Sequence, residues 1–207
     1  MTRPDRSPWL RGALLLAAAA LSTGTLAAAP QVGGPAPAFS GVDTKGKAWS
    51  LAELKGQPVI LEWTNHDCPF VIKHYNTGNM QALQKEATAQ GYHWLSVISS
   101  APGKQGHVSA AKADALTRTR GAAPSAVLID QTGTIGRAYD ARTTPHMYLI
   151  DAEGILRYMG AIDDRPTTNP ADVDGATNYV RAAMAELAAG GVVAQPVTRA
   201  YGCSVKY

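Results

Sequence analysis

Apolar and polar positions fall into blocks along this chain, and the sharpest boundary lies inside PVILEWTNHDCPFVIKHY, residues 58–75. Val59 to Trp63 contains no Pro or Gly and is rich in β-branched and aromatic side chains, the pattern of a buried strand. Polar Asn65-His66-Asp67 follows, and Cys68-Pro69 then opens a helical pattern, with Pro69 suited to the first helical position. Phe70, Val71, His74 and Tyr75 continue at helical spacing, Gly78 interrupts, Met80, Leu83 and Ala87 resume, and Gly91 supplies a stop. One long helix, kinked or broken near Gly78, is expected.

Upstream, residues 31–39 form an extended Pro/Gly-rich lead-in, and Asp43-Thr44-Lys45-Gly46 has turn chemistry between two short strand candidates. Ser50 with Glu53 three residues on makes a capping box for a brief turn. Downstream, the pattern predicts a strand at 94–98, a Gly/Pro-bearing loop at 99–106, and a helix with an Ala-rich face over 107–120. A strand at 126–130 and a short helix at 135–139 come next, and the loop 140–144 reaches Pro145. Residues 147–151 and 155–159 read as a hairpin around Ala152-Glu153-Gly154. A polar loop, 163–174, is read as solvated, and a helix over 176–188 carries Val180, Met184 and Leu187 in its apolar stripe. The tail from Gly190 is irregular and carries Cys203. Strands alternating with helices, then a hairpin and a helix, define an α/β class with a mixed sheet covered on both faces.

Cys68 is the strongest chemical candidate. A cysteine at a helix start sits over backbone N–H groups without helical partners and at the positive end of the helix dipole, and both favour the nucleophilic thiolate. The alternative, an inert buried cysteine, fits poorly with the polar residues just before it. Asn65 and His66 are candidate donors to that thiolate or, equally, caps of the strand end; Asp67 is expected to cap the helix.

The N-terminus changes how the cysteines are read. Arg3, Arg6 and Arg11 lead into an apolar core at 13–21, and Leu26-Ala27-Ala28-Ala29 has the small residues of a cleavage site, so residues 1–29 are expected to be a secretory signal. That core is shorter than the roughly 20 residues a spanning helix needs, and no other stretch could cross a membrane. The segment holds three Arg and one Asp, so the net charge of +3 falls to +1 without it, a balance that gives no support for nucleic-acid binding. The remaining 207 − 29 = 178 residues suffice for one domain with a proper core. In a secreted or periplasmic setting the two cysteines, Cys68 and Cys203, could form a bridge that such a chain does not need for folding, which points to a redox-active pair rather than a structural one.

The segments LKGQPVILEWTNHDCPFV, AVLIDQTGTIGRAYDARTTPHMYLIDAEGILRYMGAID and GCSVKY resemble the thioredoxin-like superfamily, in particular its redoxin branch of AhpC/TSA, peroxiredoxin-like proteins. The resemblance implies a thioredoxin-like domain over 30–190 with a tail, 191–207, that carries Cys203. It places Cys68 on the nucleophilic cysteine and Thr144-Pro145 on the cis-proline position, with Pro145 beside Cys68 and the Thr144 backbone presented to a thiol substrate. The ending GCSVKY, shared with a peroxiredoxin-like subgroup, makes Cys203 a possible resolving thiol. Three residues after Cys68 stands Val71, not a second cysteine, so no local disulfide can form. The peroxiredoxin threonine and proline positions hold Asn65 and Leu61, and Arg142 is the candidate for the peroxidatic arginine.

These readings give a thiol-dependent oxidoreductase, an enzyme of thiol–disulfide exchange or peroxide reduction, with catalytic Cys68 and Cys203 and a site shaped by Asn65, His66, Pro69, Thr144 and Pro145. Its partners would be a thiol/disulfide protein or a small peroxide and a thioredoxin-like electron donor, with no nucleic acid and no cofactor. Two other classes stay open: a copper-binding module using His66, Cys68, His74, His146 or Cys203 as donors, and a redox-silent binding protein with a permanent Cys68–Cys203 bridge.

Overall fold

A computed structural model describes residues 1–2 and 29–207. The expected signal segment lies, apart from residues 1, 2 and 29, outside the described residues. The chain order is β1 (Ser40–Val42), β2 (Ala48–Ser50), β3 (Val59–Trp63), α1 (Pro69–Asn76), α2 (Asn79–Ala89), β4 (His93–Ile98), α3 (Ala110–Thr119) and β5 (Ala126–Ile129). It continues with α4 (Thr134–Ala138), β6 (Thr143–Thr144), β7 (His146–Ile150), β8 (Leu156–Gly160), α5 (Tyr179–Ala188) and β9 (Cys203–Ser204).

Five strands form the central mixed sheet in the order β5-β4-β3-β7-β8, with β3, β4 and β5 parallel and β7 and β8 antiparallel to their neighbours. All five residues of β3 are buried because the strand has a neighbour on each edge and a core on each face. The period of two sorts them: Val59, Leu61 and Trp63 enter one core with Leu95, Leu128, Tyr139 and Tyr148, while Ile60 enters the other with Val71, Leu83, Trp94, Met147 and Val180. Glu62 on β3 is fully buried. Its carboxylate accepts from Tyr75 (2.9 Å), the Trp94 indole (2.8 Å), Ser96 (2.8 Å) and Gln84 (3.3 Å), donors enough to offset its removal from water.

The long helix expected after Cys68 is broken, not merely kinked. Gly78 stands at φ 75°, a left-handed conformation that ends α1 and starts α2, and one that glycine adopts without a Cβ clash. Helix α3 begins later than its pattern suggested because the Ser109 hydroxyl takes the Lys112 N–H at 3.3 Å and sets the N-cap there. Asn178 does the same for α5, accepting from Arg181 N–H at 2.9 Å. Only half of the expected capping box forms: Ser50 Oγ accepts from Glu53 N–H at 3.3 Å, but the Glu53 carboxylate takes the Ser50 hydroxyl at 3.0 Å rather than the Ser50 backbone N–H.

The polar loop after β8 is exposed over residues 164–171, as expected, but it is anchored at its start by Asp163, which is 2 % exposed, and a 3₁₀ turn spans Pro170–Val173. The tail is not irregular throughout, since β9 pairs antiparallel with β6, Thr143 opposite Ser204 and Thr144 opposite Cys203. Among the described residues no helix is long and apolar enough to cross a membrane.

Candidate active site

Strand β3 and helix α1 deliver Cys68. The chain leaves the sheet after Trp63, and Cys68 N–H donates to Asn65 C=O at 3.1 Å, closing the turn that aims the next residue along α1. Cys68 is the N-cap residue in extended conformation (φ −78°, ψ 121°), with Pro69 at the first helical position as the sequence indicated. Its carbonyl accepts the first helical bond, from Ile72 N–H at 2.8 Å, and its side chain is fully buried.

The opposite wall comes from the segment before β7. The Thr144–Pro145 peptide is cis, and the Cys68 thiol donates to the Thr144 carbonyl at 3.1 Å. The same Thr144 is paired with Cys203, whose carbonyl accepts from the Thr144 hydroxyl at 3.4 Å. Gly202 lies flat on this wall. A Cβ added there would meet the Thr144 oxygen at 2.0 Å, so only glycine lets the tail lie so close. The result places Cys203 against Cys68 although 203 − 68 = 135 positions separate them. Both are free thiols.

The two thiols differ in acidity. Burial pushes the Cys68 thiol up, but hydrogen bonds from the Cys203 and Thr144 side chains, and from the Val71 and Cys203 backbone, outweigh it and leave the pKa below the ordinary thiol value. Cys203 moves the other way, to about 11, through burial first and then through its hydrogen bond and proximity to the Cys68 charge. When the pair carries a single proton, Cys203 holds it and donates it to the Cys68 thiolate. A lowered pKa means more thiolate at neutral pH. The alkylation rate of Cys68 is therefore expected to reach half its plateau at a pH below that of an ordinary thiol, and to reach it later in Cys203→Ala, where one donor is gone. Site-resolved mass analysis of the alkylated peptides over a pH series reads both.

The other sequence candidates are placed as follows. Asn65 is buried, and its side-chain oxygen takes the Asp67 N–H at 2.9 Å, so it shapes the turn and does not bond to the sulfur. Burial lowers the His66 pKa, with Asp67 opposing from 3.3 Å, so the imidazole is uncharged at neutral pH and supplies no cation for the thiolate. Asp67 makes that contact and does not cap α1. Arg142 is exposed and paired with Asp140 at 2.7 Å. His146, pushed to about 4 by burial, stacks on Tyr148 with ring centres 4.5 Å apart and bonds to its hydroxyl at 3.1 Å. Among the described residues no group of three or more His, Cys, Asp or Glu side chains is arranged to hold a metal ion.

Sequence reasoning missed a buried polar cluster beside the tail. Lys73 and His74 on α1 face Asp163, each 3.9 Å from its Oδ2, and Tyr201 donates to Asp163 Oδ1. The only sequence signal was Lys73-His74 interrupting an otherwise apolar helix face. Two cavities flank residues 198–200 of the tail, of about 610 Å³ on the Asp163 and Tyr179 side and about 430 Å³ on the Arg142 and His146 side, and both reach Thr143.

A central mixed sheet, a cysteine at the start of the first long helix and a cis-proline facing it define a thioredoxin-like redoxin. The sequence pattern of the AhpC/TSA family matches residues 32–159, and the chain belongs to that family. A hypothetical protein from Sinorhizobium meliloti 1021 has the same fold at a TM-score of 0.73 and 24 % identity, over 87 % of this chain and 96 % of its own. An uncharacterized conserved protein from Geobacillus kaustophilus superposes with a TM-score of 0.73 at 23 % identity, over 88 % and 94 %. The thioredoxin domain of a thiol-disulfide oxidoreductase from Bacteroides vulgatus gives 0.50 at 19 % identity, over 70 % and 96 %. No curated protein sequence matches the chain.

Proposed function

We propose that this protein is an exported thiol-dependent oxidoreductase in which Cys68 is the nucleophile and Cys203 the resolving thiol. The observation that carries the reading is the pairing of the two thiols at the cis-proline wall with acidities pushed apart, Cys68 down and Cys203 up to about 11. Groups whose environments separate their pKa values in this way divide the roles of nucleophile and proton holder.

With a disulfide substrate, the Cys68 thiolate attacks one sulfur, forms a mixed disulfide and expels the other half as a thiolate. Cys203, giving up its proton, then attacks the Cys68 sulfur, closes the Cys68–Cys203 bridge and releases the second thiolate. With a hydroperoxide, Cys68 attacks the terminal oxygen, an alcohol or water leaves after taking a proton, and the sulfenic acid condenses with Cys203 thiol to give the bridge and water. Both routes transfer two electrons from the pair to the substrate. A dithiol protein of the thioredoxin kind resets the bridge by attacking Cys203, the more exposed sulfur, with Cys68 leaving as the better-stabilised thiolate. The departures at Leu61 and Asn65 favour the disulfide route, as does Arg142, whose exposed guanidinium is paired with Asp140. Export rests on the signal-like segment 1–29; the 30–190 domain and its 191–207 tail would then act together outside the cytoplasm.

Oxidation of the reduced protein with one equivalent of a small disulfide or of peroxide, followed by non-reducing peptide mass analysis, is expected to show a two-proton loss joining the Cys68 and Cys203 peptides. A stable adduct on Cys68 with Cys203 still open to alkylation would reject the resolving role.

A further inference from the structure

Cys203 belongs to a short tail strand with only two residues paired to β6, too little on its own to hold a sulfur in register. Downstream of it the chain is secured by Val205 N–H on the Arg142 carbonyl (2.9 Å), Ala101 N–H on the Lys206 carbonyl (2.8 Å) and the Tyr207 hydroxyl on the Ala141 carbonyl (2.6 Å). Upstream, the last side chain before Gly202 and Cys203 is Tyr201, and it enters the buried cluster on α1.

The direction of each hydrogen bond in that cluster follows from its members. The Asn79 side-chain amide donates to His74 Nδ1 at 2.9 Å, so the His74 proton is on Nε2. Nε2–H then donates to the Tyr201 oxygen at 3.2 Å, and the Tyr201 hydroxyl donates to Asp163 Oδ1. Asp163 Oδ1 also accepts from Arg165 N–H at 3.0 Å, while Lys73 Nζ donates to the Arg165 carbonyl at 2.8 Å. Burial keeps His74 neutral, at about 3, so one tautomer serves the chain of donors over the whole physiological range. The Tyr201 ring is fixed independently, edge-on to Phe70 with centres 5.7 Å apart and 5.4 Å from Lys73 Nζ.

Helix α1 is thus capped at its start by Cys68 and, six residues on from that cap, carries the clamp for the residue two before Cys203. We infer that Tyr201 is a positioning residue for the resolving step: its hydroxyl, held between His74 and Asp163, keeps Cys203 within reach of Cys68 by tying the tail to the helix that presents Cys68. The inference rests on the proposed roles of the two cysteines and adds what sets their encounter. A clamp of this kind acts by raising the effective concentration of one thiol at the other.

Tyr201→Phe keeps the ring and its packing and removes only the two hydroxyl contacts. Tyr139→Phe is the control, since it also loses one buried hydroxyl bond, to the Pro37 carbonyl at 2.7 Å, in the opposite core. In a Cys68→Ser background, where no bridge can form, Cys203 alkylation is expected to speed up about tenfold with Tyr201→Phe and not with Tyr139→Phe. With both cysteines present, the equilibrium between dithiol and bridge against a glutathione couple is expected to shift about tenfold towards dithiol in Tyr201→Phe alone. Unchanged Cys203 alkylation and an unchanged equilibrium in Tyr201→Phe would overturn the clamp while leaving the cysteine roles intact. A wild-type protein that never forms the bridge would instead reject those roles, with the alkylation comparison still reporting on the clamp.

Discussion

Cys68→Ser is expected to lower the rate of reaction with a small disulfide or peroxide by about 10²-fold or more and to leave the fold standing. The hydroxyl is not ionised at neutral pH, and none of the donors that favour a thiolate at this position can make it so: the Val71 and Cys203 backbone N–H groups and the Cys203 and Thr144 side chains. Serine is at the same time a good N-cap, and Cys68 occupies the N-cap of α1, so the thermal midpoint should hold or rise slightly. Cys203 does not take over. Part of its raised pKa comes from Cys68, so in the variant it returns towards the ordinary value and reacts as a partly buried thiol without the helix start. Stopped-flow consumption of the oxidant, with mass analysis locating any adduct, separates the two sulfurs. Wild-type consumption by Cys68→Ser would move the chemistry away from Cys68.

Gly202→Ala is expected to produce the second large effect, without touching either cysteine. The Ala Cβ would stand 2.0 Å from the Thr144 oxygen and 2.7 Å from its carbonyl carbon, both backbone atoms of the cis-proline wall, and the residue sits at φ +130°. Neither partner can yield by a rotamer change, so β9 must leave β6 and carry Cys203 with it. Bridge formation should fall about tenfold or more, and the Cys68 pKa should rise as the Cys203 donors are lost, at a stability cost of about 1–3 kcal/mol. Gly190→Ala is the matching control: it has a similarly positive φ of +74° but no atom within 4 Å of the added Cβ, so it should cost stability and spare the bridge. Quenched-flow kinetics of bridge closure, alongside thermal unfolding, distinguishes them. Equal closure rates in both variants would show that close seating of the tail on Thr144 does not matter.

Local pattern made much of the site legible. The run from Val59 to Trp63, the turn at Asn65 to Asp67 and Pro69 after Cys68 are near neighbours, and strand, turn and helix start each leave a signature within a few residues. The AhpC/TSA resemblance and the cis Thr144–Pro145 bond follow the same local motifs. Asp163 was not legible. A carboxylate in a polar, proline-containing loop reads as solvated, and its burial depends on Lys73 and His74, some 90 positions earlier. For Asn65 and His66 the sequence left bonds to sulfur and a role at the strand end equally open, because adjacency to Cys68 does not fix where a side chain points; in the fold Asn65 takes the Asp67 N–H and His66 is neutral.

The amino-acid sequence by itself determined the mixed α/β architecture, the placing of Cys68 at the start of α1, and the absence of a local partner for it at Val71, because each is written in residues within a turn or two of one another. Only the tertiary structure decided that Cys203 lies against Cys68, that Gly202 must be glycine, and that Tyr201 ties the tail to α1. Those facts depend on a two-residue strand pairing across 59 positions and on a polar cluster that draws on three separate segments. A two-residue strand has no periodicity to detect, and the partners of a buried polar group are chosen by packing rather than by spacing along the chain.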